Sequence, residues 1–192
     1  MEKASLLKIL RGNSTVFTFK DILLASGETN SALLKRRISY YVKNKELYPI
    51  RRGIYAKNKD YDRLELANKI FTPSYISFET VLAKAGLIFQ HYGQTFAASY
   101  LSREIVCDGR KYVFRRIKDT VLTNSSSVER KGNYFIAAKE RAFLDTIYLN
   151  KTYHFDNLSS IDWDKCFEIL AIYDNEAMAG RLRSYYRLSK HA

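Results

Sequence analysis

The chain has 192 residues, 46% of them hydrophobic, and carries a formal net charge of +12. That length can bury a real core in one medium domain or two small ones, and the apolar content excludes a disordered protein. No apolar run approaches the ~20 residues of a membrane span, the N-terminal MEKASLLKILRGN lacks the pattern of a signal peptide, and Cys107 and Cys166 form no metal-ligand spacing, so a reduced, cytoplasmic compartment is expected.

The charge is concentrated where the chain begins. Residues 1–60 hold 13 Lys/Arg against 5 Asp/Glu, residues 61–130 hold 10 against 7, and residues 131–192 hold 9 against 8. A localised basic patch is the electrostatic footprint of a phosphate binder, whereas an evenly spread excess would only aid solubility. Leu6, Leu7 and Leu10 predict a first helix over 3–11, ended by Gly12-Asn13. Thr18-Phe19-Lys20-Asp21 reads as a capping box opening a second helix that runs to about Ser26, with Gly27 as the break. Thr29 or Asn30 caps a third helix that runs to about Asn44. At about 100° per residue, Leu34, Ile38, Tyr41 and Val42 share one side of this third helix. Ala32, Arg36, Ser39, Tyr40 and Lys43 share the other. A short helix, a glycine turn and a longer basic helix are the parts of a helix-turn-helix. The outward face suits a major groove, with Arg36 reading base edges and Ser39, Tyr40 and Lys43 holding phosphate.

Residues 47–56 read as two short strands around a turn that contains Arg51, Arg52 and Gly53. A doubly basic hairpin directly after a candidate recognition helix is a winged helix-turn-helix arrangement, its tip lying along the phosphate backbone or the adjacent minor groove. The DNA-contacting set read from the sequence is therefore Ala32, Arg36, Ser39, Tyr40, Lys43, Arg51 and Arg52. The polar stretch Lys57–Asp62 reads as a linker, separating a DNA-binding domain over 1–58 from a larger domain over 61–192.

In that larger domain, Leu64, Leu66, Ala67 and Ile70 predict a helix broken by Pro73-Ser74, and Ser77 caps a helix through Ala85 that Gly86 ends. Residues 95–101 alternate as a strand. Glu104–Cys107 and Lys111–Ile117 flank Asp108-Gly109, a strong hairpin turn. Tyr134–Ala137 predicts another strand, and Lys139–Leu149 a helix with Ala142, Phe143, Ile147 and Leu149 inward. Two more helices fit 162–173 and 175–188. The fold class is α+β, antiparallel strands surrounded by helices.

Catalytic signals are weak. His91, His154 and His191 have no partner at ligand spacing, and neither a glycine-rich phosphate loop nor a nucleophile elbow occurs. Glu129-Arg130-Lys131 has the acid-x-Lys spacing of some metal nucleases, without a paired aspartate on a preceding strand. Arg115, Arg116 and Lys118 offer a second basic strip. The last helix places Glu176 first and Arg181, Arg183, Arg187 and Lys190 later, which suits the helix dipole, and Tyr185 and Tyr186 there suit packing. The expectation is a protein without catalytic residues, metal or cofactor. A metal-dependent nuclease, or an interaction module whose basic face docks an acidic partner, are the alternatives.

Three segments together resemble the AbiEi-type antitoxins of type IV toxin–antitoxin systems. They are Arg51-Arg52-Gly53-Ile54-Tyr55-Ala56, the run from Ser74 to Leu87 (SYISFETVLAKAGL) and the run from Ala137 to Tyr148 (AAKERAFLDTIY). The likeness spans roughly residues 5–150, with two departures: the usual third segment has Lys where Arg141 stands and Leu where Phe143 stands. The resemblance implies a bacterial repressor that binds operator repeats through its N-terminal domain, as a monomer acting cooperatively, and silences its own operon. It also implies that the C-terminal domain counters a cognate nucleotidyltransferase toxin, which it need not touch.

Overall fold

The computed structural model describes residues 11–90 and 93–190. The helix expected over 3–11 lies outside the described residues except for its last position, Arg11. The chain forms two compact units that divide between Ile70 and Phe71. It combines helices with antiparallel and parallel strand pairs, as an α+β chain does. No helix among the described residues is long and apolar enough to cross a membrane.

The first unit contains β1 (Val16–Thr18), α1 (Phe19–Ser26), α2 (Ser31–Lys43), β2 (Tyr48–Arg51), β3 (Ile54–Ala56) and α3 (Arg63–Ile70). The capping box forms as expected. Asp21 N–H donates to Thr18 Oγ1 at 3.1 Å, and Thr18 N–H donates to Asp21 Oδ2 at 2.8 Å. Gly27 closes α1 at φ 62°, a left-handed cap that glycine adopts without penalty. Phe17, Ile22, Leu34, Ile38, Tyr41 and Leu47 form the core beneath a three-stranded antiparallel sheet of order β1-β3-β2.

Two findings differ from the sequence reading. Val16–Thr18 is a strand as well as a helix cap, paired to β3 with Val16 opposite Ala56. Three residues are too few for alternation to register. The helix over 63–70 also belongs to the first unit, so the division falls after Ile70 and not within Lys57–Asp62. The physical reason is Glu65, buried on α3, whose Oε2 accepts from Thr15 N–H at 2.8 Å and from Thr15 Oγ1 at 2.7 Å. Lys69 adds a 2.7 Å ion pair to Asp21. Burial pushes the Asp21 carboxyl up, but the Lys69 ammonium and the Thr18 N–H outweigh it and hold it below its ordinary value.

The second unit is built on a six-stranded sheet of order β6-β7-β5-β4-β9-β8. Its elements are β4 (Ser74–Ile76), α4 (Glu79–Lys84), β5 (Thr95–Ser99), β6 (Arg103–Cys107), β7 (Arg110–Arg116), α5 (Asp119–Leu122), β8 (Val128–Lys131) and β9 (Tyr134–Ala137). Helices α6 (Lys139–Leu149), α7 (Trp163–Ile169), a 3-10 turn (Leu170–Tyr173) and α8 (Glu176–Ser189) follow. The β6–β7 hairpin turns at Asp108 and Gly109, with φ of 50° and 70°, as a two-residue primed turn requires.

The sheet is mixed and not purely antiparallel. β5 runs parallel to β7, and β4 parallel to β9, because each partner arrives after an intervening element and not through a tight hairpin. β4, also three residues long, escapes sequence reading for the same reason as β1, and β8 is the unread hairpin partner of β9. Ser77 does not cap α4: Phe78, at φ 54°, is the cap residue, and the Ser77 hydroxyl turns into the core. Leu149, expected inward, is 38% exposed at the end of α6.

The core of the second unit contains a fully buried charge. Arg141 on α6 is 0% exposed, and all five of its N–H groups find acceptors. Nε reaches Asp145 Oδ1 at 3.2 Å. Nη1 donates to the carbonyls of Ser126 at 2.8 Å and Asn124 at 3.4 Å. Nη2 donates to Tyr75 Oη at 2.9 Å and the Val121 carbonyl at 2.7 Å. Asp145 accepts in turn from Tyr75 Oη at 3.0 Å, Ser77 Oγ at 2.7 Å and Tyr173 Oη at 2.7 Å. The guanidinium carbon lies over the Tyr75 and Tyr173 rings at 5.2 and 5.6 Å. Burial alone would lower the Arg141 pKa, but Asp145 beside it raises it. Burial, then the Asp145 charge, push the Tyr75 and Tyr173 phenols well above their ordinary value.

Removing one partner of such a pair leaves the other charge buried and uncompensated. Asp145→Asn is therefore expected to destabilise the second unit by about 3–5 kcal/mol. The measurement is a urea transition followed by fluorescence of Trp163, the only tryptophan in the chain and a residue of this unit.

Because the folded phenols hold their protons more tightly than unfolded ones, their contribution is complete below about pH 10 and declines as pH rises through the folded values. The urea midpoint should fall as pH rises above about 10, and Tyr75→Phe should flatten that fall. An identical slope in the variant would exclude Tyr75 as its source.

Candidate nucleic-acid interface

Helix α2 begins at Asn30, whose Oδ1 accepts from the N–H groups of Ala32 at 3.0 Å and Leu33 at 3.1 Å. Glu28 ties the preceding turn to the helix. Its Oε1 accepts from Asn30 N–H at 3.2 Å and its Oε2 pairs with Arg37 Nη1 at 2.9 Å. Arg37 is therefore committed within the unit. On the inward face Leu34, Ile38 and Tyr41 are buried and Val42 packs beside them.

The five residues expected on the opposite face, Ala32, Arg36, Ser39, Tyr40 and Lys43, are all exposed. Arg36 and Lys43 are seven residues apart, which leaves about 20° between them around the axis, so the two cations project from one side. Tyr40 is 57% exposed, with its ring edge-on to Tyr41 at 5.8 Å between centroids. Ser39 differs from a free hydroxyl: its Oγ donates to the Lys35 carbonyl at 2.9 Å, so it offers an approaching ligand acceptor lone pairs and not a proton.

The β2–β3 hairpin carries the other two expected residues. Arg51 and Arg52 are exposed at its turn, and Gly53 closes it at φ 77°. Phe19 N–H donates to the Gly53 carbonyl at 2.8 Å, which fixes the turn against the start of α1. Pairing slips between Pro49 and Arg51, so that Arg51 faces Ile54. Such an irregularity bends a strand and re-aims its side chains.

The cations of this unit fall into two groups. Arg37 pairs with Glu28 and Lys69 with Asp21, Lys57 donates to the Gly12 carbonyl, and Lys59 sits 5.8 Å from the centre of the Tyr48 ring. Arg36, Lys43, Arg51 and Arg52 form no ion pair with any described residue, and the same holds for Arg11 and Arg63 and for Lys20, Lys35 and Lys45. Those last three are exposed too, and the sequence reading passed over them. Lys35 follows from the same helical wheel, whereas Lys45, at φ 59° directly after the helix, gives no such signal.

Other sequence candidates have structural partners. Arg115 pairs with Glu79 at 2.9 Å and stacks on Phe78 and Phe96 at 5.0 and 4.7 Å, which removes it from the expected second basic strip. Lys118 reaches Asp174 at 3.5 Å. Arg181 Nε donates to the Ile147 carbonyl at 2.9 Å. Tyr185 packs on Phe143 and Phe155, and Tyr186 on Trp163 and Phe167, as expected of them. Glu129, Arg130 and Lys131 lie exposed on the edge strand β8, with Arg130 Nε donating to the Gly132 carbonyl at 3.1 Å.

No family model matches the chain, and no curated protein matches it.

Proposed function

We propose that the first unit is a winged helix that binds duplex DNA, with α2 in the major groove and the Arg51-Arg52 turn on the phosphate backbone. The observation that carries this reading is the division of the cations. Exposed Arg36, Lys43, Arg51 and Arg52 lack acidic partners among the described residues, while Glu28 and Asp21 hold Arg37 and Lys69. Unpaired exposed cations on a helix face and a hairpin turn are what counterion release from a duplex requires. Arg36 has the reach and donor fork to read a guanine edge, and Lys43 and the hairpin arginines act as phosphate contacts. Ala32, small and near the start of α2, permits close approach to the groove floor.

The resemblance to AbiEi-type antitoxins extends this proposal. In that reading the chain is a cytoplasmic bacterial repressor of its own operon, binding operator repeats cooperatively as a monomer. The second unit opposes a nucleotidyltransferase toxin, and the protein itself catalyses nothing.

The test is binding to random duplex and to duplexes selected from a random pool, measured across salt concentrations. Arg51→Ala with Arg52→Ala is expected to weaken binding to both and to lower the slope of log K against log salt by about two. An unchanged slope removes the hairpin from the interface.

Arg36→Ala is expected to cost about 1–3 kcal/mol on the selected sequence and little on the random one. Equal loss on both would give Arg36 a phosphate role. Absence of salt-sensitive DNA binding in the parent protein would sink the proposal and favour an acidic protein partner for the same face.

A further inference from the structure

The second unit has a groove that neither its core nor the proposed DNA contacts use. It runs between residues 151–158 and helix α8, with a volume of about 1140 Å³, above the ~300–1,000 Å³ common for small-molecule sites. Its walls are preformed. Tyr185 Oη donates to the Tyr153 carbonyl at 2.6 Å and accepts from Tyr153 N–H at 3.1 Å, pinning the loop to the helix. The Tyr185 ring meets Phe155 at 5.3 Å between centroids. Leu188, 64% exposed, extends this apolar wall into solvent. A groove that needs no ordering loses little affinity to conformational entropy.

The α8 side of the groove is shallow because Ala177, Gly180 and Ser184 line it. Gly180 lies inside a helix, where glycine is an unfavourable choice. It has no positive φ, and an added Cβ would meet nothing within 4 Å. The fold itself therefore does not need the missing side chain. What the missing side chain provides is room for an external backbone to come close.

Charge narrows the occupant. Among the described residues the groove is lined by Lys151, His154 and Arg181, and by no carboxylate. Two acids adjacent in sequence to lining residues have their own places: Asp156 holds the Phe89 N–H at 2.7 Å and lies 3.5 Å from His154, and Glu176 sits in the first turn of α8. A second copy of this chain, at net +12, is a poor electrostatic match. Nucleic acid would set phosphates against an apolar wall. We propose that this groove docks a short amphipathic helix of an acidic partner protein, its apolar face on Tyr153, Leu158, Tyr185 and Leu188 and its carboxylates toward Lys151 and Arg181. The Ala177–Ser189 side is about 18 Å long, enough for some three turns. This proposal is independent of the DNA reading.

The test uses a phage-displayed library of random peptides of about 16 residues, selected on the full chain and counter-selected on its Gly180→Leu variant. The space around Gly180 is open, so that variant should keep its urea midpoint by Trp163 fluorescence. Gly180→Ala and Lys151→Glu provide independent variants should it not. Enriched peptides are expected to be net negative with apolar residues at i, i+3 or i+4, and i+7. They should lose at least tenfold in affinity to Gly180→Leu and several-fold to Gly180→Ala and Lys151→Glu. Selected peptides that are basic, lack helical spacing, or bind these variants as well as the parent would overturn the proposal. So would displacement of the peptides by a short DNA duplex, or self-association of the chain that Gly180→Leu abolishes, which would assign the groove to nucleic acid or to a second copy.

Discussion

A guanidinium shut away from water must find acceptors inside the protein, or its desolvation goes uncompensated. Arg141 meets this demand with groups from four parts of the chain: Asp145 one turn along its own helix, the carbonyls of Asn124 and Ser126 before β8, the carbonyl of Val121 on α5, and Tyr75 on β4. Asp145 in turn holds Ser77 and Tyr173. The arrangement constrains the second unit because each contact requires a backbone path to end in one place. β4 must lie beside β9, the turn after α5 must present its carbonyls inward, and the 3-10 turn must bring Tyr173 under α6.

This network also gives a physical meaning to two of the three segments that carry the antitoxin resemblance. The run from Ser74 contributes Tyr75 and Ser77, and the run ending at Tyr148 contributes Arg141 and Asp145, with Ile76 opposite Ile136 across the parallel β4–β9 pair. Read as strings they look like unrelated patterns. In the fold they are two halves of one hydrogen-bonded centre. Arg141, where the usual segment has lysine, supplies five donors in a planar fork, more than an ammonium offers.

The two units treat positive charge in opposite ways. In the second unit the most buried cation is saturated with partners, and Arg115 is held by Glu79 and two aromatic rings. In the first, carboxylates engage the cations that hold the unit together, and those on the outer face of α2 and the hairpin turn remain without acidic partners among the described residues. Saturation serves folding. Open valence at a surface leaves charge for a ligand, and this contrast gives the first unit its functional reading.

Local rules made much of this legible from the residues alone. The Thr18–Asp21 capping box, the Asn30 cap, the two faces of α2, the Arg51–Gly53 turn and the Asp108-Gly109 hairpin all depend on atoms within a few positions of one another, and side-chain chemistry determines them without reference to the rest of the chain. All seven candidate DNA-facing residues came from that level, and all seven are exposed. Tertiary structure alone decided the remainder. The short strands β1 and β4 exist because distant partners accept their hydrogen bonds. Helix α3 joins the first unit because Glu65 finds Thr15 fifty residues away. Leu149 reaches solvent although its spacing reads as inward. The burial of Arg141 depends on groups up to 66 positions distant. Periodicity and capping cannot anticipate such contacts, because their energy is realised only when segments remote in sequence have already been brought together.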